Sequence, residues 1–104
     1  MICLEEFYEK TGFSRSFLGE VVGVSPDSLK KYEWSNIDHM RQSTIDKIET
    51  GVTAILNAGV HVHVYPPHYF WSSSPEWVVT WNDGKYRGTS MGITEMVRGI
   101  AGLL

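Results

Sequence analysis

Thr11-Gly12-Phe13-Ser14-Arg15-Ser16-Phe17-Leu18-Gly19-Glu20-Val21-Val22-Gly23-Val24-Ser25-Pro26-Asp27-Ser28-Leu29-Lys30-Lys31-Tyr32-Glu33 reads as two short helices and the turn that joins them. Ser14 can accept hydrogen bonds from first-turn amides and so begin the first helix. Phe17, Leu18 and Val21 or Val22 fall on its buried side. Gly23 ends it, because a left-handed residue is needed there and glycine pays no Cβ penalty. Ser25 followed by Pro26 is a strong start for the second helix, since proline at the first position lacks a donor that would be orphaned anyway. Asp27 in that first turn favours the positive helix end. Leu29 and Tyr32 then point inward, which leaves Lys30 and Lys31 facing out.

Outward from this stretch, Leu4, Phe7 and Tyr8 have helical spacing and predict an opening helix from about Ile2 to Lys10, stopped at Gly12. Residues Trp34 to Asp38 read as a connection. Ser43 is expected to cap a fourth helix reaching about Leu56, with Ile45, Ile48, Val52, Ile55 and Leu56 on its apolar face and Asn57-Ala58-Gly59 at its end.

The second half changes period. Val60, Val62 and Val64 alternate with His61, His63 and Tyr65, which is a strand closed by Pro66-Pro67. Ser72-Ser73-Ser74-Pro75 is a loop, after which Trp77, Val79 and Trp81 alternate again. Asp83-Gly84 is a hairpin signal; as a two-residue turn it would pair Trp81 with Tyr86 and Thr80 with Arg87. Ile93, Met96, Val97, Ile100 and Leu103 or Leu104 form one stripe of a last helix. The expected fold is α+β: an N-terminal four-helix bundle over residues 1–57, then a small β–β–β–α unit over 58–104.

The 104 residues carry a formal charge of −3, which opposes a broad phosphate-binding surface unless the cations gather on one face. Arg15, Lys30, Lys31 and Arg41 all lie in the first half, whereas Glu5, Glu6 and Glu9 share the opening helix. One cysteine, Cys3, cannot close an intramolecular disulfide; a reducing, cytoplasmic setting without a signal peptide is the expectation. No apolar run approaches the ~20 residues of a membrane helix.

The first half resembles the Cro/C1-type (XRE-like) helix-turn-helix family of regulators. The residues that carry the likeness are Gly12-Phe13-Ser14, Leu18-Gly19, Gly23-Val24-Ser25, Leu29 and Tyr32-Glu33. The pattern departs at Gly19, where the family usually has alanine, and at Trp34, where glycine is common and where a different helix exit is therefore expected. The resemblance implies that Arg15 lies on the DNA backbone and that Pro26, Asp27 and Lys31 occupy base-reading positions. Ser25 and Ser28 flank them, within reach of phosphate, and Lys30 is outward. Pro26 carries no donor, and Asp27 suits helix initiation better than base readout because it repels phosphate.

Elsewhere the chemistry is sparse. His61 and His63 share one side of a strand, but no cysteine or carboxylate nearby completes a metal set, and no metal or cofactor is expected. Cys3 has no histidine partner and no catalytic residues are expected. Tyr65, His68, Tyr69, Phe70, Trp71, Trp77, Trp81 and Tyr86 form a dense aromatic group: the core of a small sheet or a partner surface. The expected function is a small sequence-specific DNA-binding regulator. It would read a palindromic operator as a homodimer assembled through the β–β–β–α half, with no membrane association. The alternative is a protein-binding module on the same scaffold, such as a phage inhibitor of a host factor.

Overall fold

A computed structural model describes residues 1–67 and 74–104. The architecture is α+β. Helices α1 (Leu4–Thr11), α2 (Arg15–Val22), α3 (Pro26–Glu33) and α4 (Gln42–Ala58) precede strands β1 (His61–Tyr65), β2 (Glu76–Trp81) and β3 (Gly84–Gly88), and α5 (Ile93–Ile100) follows. A single 3₁₀ turn, Ile37–His39, lies between α3 and α4.

The helix ends follow local chemistry. Ser14 accepts from the Phe17 amide and Ser25 from the Ser28 amide. Gly12 and Gly23 close α1 and α2 with φ of 79° and 77°. They differ in what surrounds them. Around Gly23 there is open space, whereas a Cβ on Gly12 would stand 1.9 Å from the Val62 carbonyl oxygen. Gly12 is therefore where β1 crosses the end of α1.

The start of α4 differs from the sequence reading. The N-cap of α4 is Arg41, with extended backbone, and its carbonyl accepts from the Thr44 and Ile45 amides. Ser43 lies inside the first turn and caps nothing, because Met40 and Arg41 are both extended and the helix has already begun at Gln42. At the exit of α3, Trp34 is the C-cap and the left-handed residue is Ser35, at φ 58°. The Asn36 amide donates to the Lys31 carbonyl and the Ser35 amide to the Tyr32 carbonyl. This is a Schellman closure with serine where glycine is the usual occupant.

The sheet is antiparallel with order β1-β2-β3. Its inner face carries Val62, Trp77, Val79 and Tyr86; its outer face carries His61, His63, Tyr65, Val78, Thr80, Lys85 and Arg87. The hairpin corrects the sequence reading. Trp81 pairs with Gly84, Thr80 with Lys85 and Val79 with Tyr86, so the turn is Asn82-Asp83 rather than Asp83-Gly84. Neither turn residue is left-handed. The reason is tertiary: the Asn82 amide donates to the Ala58 carbonyl (3.0 Å) and its side-chain Nδ2 to the Asn57 carbonyl (3.0 Å), which ties the turn to the end of α4. Trp81 then lies over Gly84 instead of facing Tyr86.

One apolar core runs through both halves of the chain. Leu18, Val21, Leu29, Tyr32, Ile48, Val52 and Ile55 from the helices are joined in it by Val60, Val79 and Val97. Phe17 meets Trp77 edge-on at 5.1 Å between ring centroids. On α5, Ile93 and Val97 are buried, and Arg98 donates to the Val21 carbonyl at 2.7 Å, covering an orphan acceptor at the end of α2. Leu56, placed on the buried face of α4 by its spacing, is instead exposed, as is Val64 on β1. Of the aromatic group, His68, Tyr69, Phe70 and Trp71 lie outside the described residues, as do Ser72 and Ser73 of the loop.

Candidate nucleic-acid interface

Helix α3 is anchored by Leu29 and Tyr32, both fully buried. The Tyr32 hydroxyl accepts from the Ile2 amide and donates to Glu49. Burial first, and then that carboxylate, push the phenol up to about 12. With this face held, Ser25, Pro26, Asp27, Lys30 and Lys31 are exposed and Ser28 is half-buried. Ser25 and Ser28 bond to one another, hydroxyl to hydroxyl at 3.0 Å.

A groove of about 270 Å³ runs between α3, the 3₁₀ turn and the start of α4, lined by Ser28, Lys31, His39, Met40, Arg41 and Thr44. No carboxylate lines it. The residues that line it carry hydroxyl, ammonium, guanidinium and imidazole groups, and it lies beside the N-terminus of a 17-residue helix that no side chain caps. Such an end presents free backbone amides and a partial positive charge to an anion. The contribution of His39 and Thr44 was not legible in the sequence, because nothing local says that the 3₁₀ turn and the start of α4 line one groove with Lys31. Asp27 and Asp38 remain exposed nearby, and Asp46 accepts from Gln42 at 2.9 Å.

Arg15 is not part of this groove. Its Nε and Nη2 donate to the two oxygens of Glu33 at 2.8 and 2.7 Å, a bidentate clamp between the start of α2 and the end of α3. The Tyr8 hydroxyl donates to the same carboxylate at 3.0 Å. The clamp holds Glu33 below the ordinary carboxylate range, mainly through the Arg15 hydrogen bonds, and keeps Arg15 charged. Burial and then Glu33 raise Tyr8. This trio lines a separate cleft of about 570 Å³ with Met1, Ile2, Cys3 and Trp34. Trp34 is 77% exposed, an unusual state for an indole.

Among the described residues, no three histidine, cysteine, aspartate or glutamate side chains gather into a metal set. No helix there is long and apolar enough to cross a membrane. Comparison of the chain with protein-family models, with curated proteins and with solved structures finds no match.

Proposed function

We propose that the chain is a small DNA-binding regulator that uses α2 and α3 as a helix-turn-helix, with α3 directed into a major groove. The observation that carries the reading is the carboxylate-free groove in which Lys31, His39 and Arg41 meet the open end of α4. Lys30, Lys31, Ser25 and Ser28 contact the duplex from α3, and Arg41 and the α4 amides hold a phosphate at its flank. Asp27 starts the helix. Arg15 acts as a positioning residue: its clamp on Glu33 fixes the angle at which α3 leaves α2.

The regulator reads a palindromic operator as a homodimer. Ile93 and Val97 of the α5 stripe are engaged in the chain's own core, so the dimer contact is assigned to the sheet's outer face, where His61, His63, Lys85 and Arg87 are exposed.

Selection from random duplexes, followed by titration at several salt concentrations, tests the reading. Lys31→Ala and Arg41→Ala each lower the salt slope by about 1, one released counterion per lost phosphate contact. Arg15→Ala leaves the slope unchanged. A chain that enriches no sequence, or a Lys31→Ala/Arg41→Ala variant with wild-type affinity, defeats it. The second reading, a protein-binding module, is favoured by the bare indole of Trp34 beside an exposed Met1, since aromatic and methionine side chains anchor interfaces.

A further inference from the structure

The outer face of the sheet holds a feature that DNA binding does not use. His61 and His63 stand two residues apart on β1, both exposed and on the same side. At ~3.3 Å per residue their Cα atoms are about 6.6 Å apart, a span two imidazoles can close around one ion with metal–nitrogen distances of ~2.0–2.1 Å. His61 already has the arrangement of a ligand. Its Nδ1 lies 3.0 Å from the Gly59 carbonyl oxygen, which can only accept. Nδ1 is therefore the donor, and in the neutral ring the lone pair lies on Nε2, the atom at the outer tip. A ring nitrogen tied to a backbone carbonyl is the support that orients metal-binding histidines. His63 rests against Tyr65, ring centroids 4.2 Å apart, and being exposed it can exchange to another staggered rotamer.

We infer that His61 and His63 form a two-imidazole site for a borderline divalent ion of the zinc class, completed by the same pair from a second copy of this chain. Two nitrogens fill half of a tetrahedron, and no third ligand from the described part of the chain joins them. A two-fold axis through the ion supplies the other two nitrogens and places the sheets face to face. The inference deepens the homodimer part of the preceding reading and does not depend on DNA, so its test contains none.

The experiment is sedimentation equilibrium with zinc chloride as the only added ligand, alongside calorimetric titration, in a Cys3→Ser background because the Cys3 thiol is exposed. The EDTA-treated chain is expected to double its mass on adding zinc, saturating at one ion per two chains. His61→Ala and His63→Ala are each expected to abolish the doubling while melting at the parent temperature in EDTA; His39→Ala is expected to retain it. Three results would overturn the inference: a mass that zinc does not change, one ion bound per chain without association, or a zinc-induced dimer that survives loss of both histidines. Zinc-driven doubling by a chain that enriches no duplex in the selection described above would count against the operator reading and leave the site standing.

Discussion

The turn between α2 and α3 and the turn between β2 and β3 are both short and both flanked by strong periodic signals, yet they are determined in different ways. The helical turn is settled by atoms within it or next to it: Ser25 caps α3, Gly23 adopts φ 77°, and the Gly23 amide returns to the Gly19 carbonyl at 2.9 Å. The hairpin turn is settled from outside, by the Asn82 bonds to Asn57 and Ala58 at the end of α4. A turn closed by its own caps can be read from neighbouring residues. A turn held by a distant helix cannot.

The sharpest way to break this comparison is at the end of α1, where a left-handed glycine meets the backbone of the sheet. Gly12→Ala combines left-handed strain with a Cβ driven at the Val62 carbonyl, and is expected to cost about 3 kcal/mol. Gly23→Ala meets open space and is expected to cost about 1 kcal/mol, the strain alone. Urea denaturation of the two variants measures the gap. Equal losses would mean that β1 does not constrain α1.

Next in size is Asn82→Ala, expected to cost about 1 kcal/mol through the lost side-chain bond to Asn57. It also frees the hairpin to move toward the Asp83-Gly84 turn. Cross-strand NMR contacts report this directly: Trp81 opposite Gly84 in the parent chain, and a new population with Trp81 opposite Tyr86 in the variant. A variant keeping only the parent register would show that something other than Asn82 sets it.

Ser35→Gly acts in the stabilising direction. The residue holds φ 58° in the closure of α3, and glycine there should add about 0.5 kcal/mol, readable as a higher melting temperature.

The subtlest effect is a slope with pH. Glu33 is depressed by Arg15, so its contribution is present above the ordinary carboxylate range and is lost as pH falls through its folded value. Glu33→Gln should therefore differ most from the parent protein near neutrality and converge with it in acid. A difference that stayed constant across that range would remove the clamp as its cause.

The caps at Ser14 and Ser25, the buried Leu29 and Tyr32, the stops at Gly12 and Gly23 and the strand alternation were all legible in the sequence, because each follows from the period of the backbone or from a bond to a near neighbour. The candidate site was legible in part. The exposure of Lys30 and Lys31 follows from helical spacing. The engagement of Arg15 with Glu33, 18 residues on, follows from packing, and so does the meeting of Lys31 with His39 and Arg41. The hairpin register shows the limit most clearly. The expected and observed pairings differ by two residues along β3, and a shift of two leaves Tyr86 on the same face. Periodicity is identical in both, so the sequence determined which side chains turn inward. The choice of register was left to the tertiary structure, where Asn82 finds its carbonyl partners only once α4 has ended against the sheet.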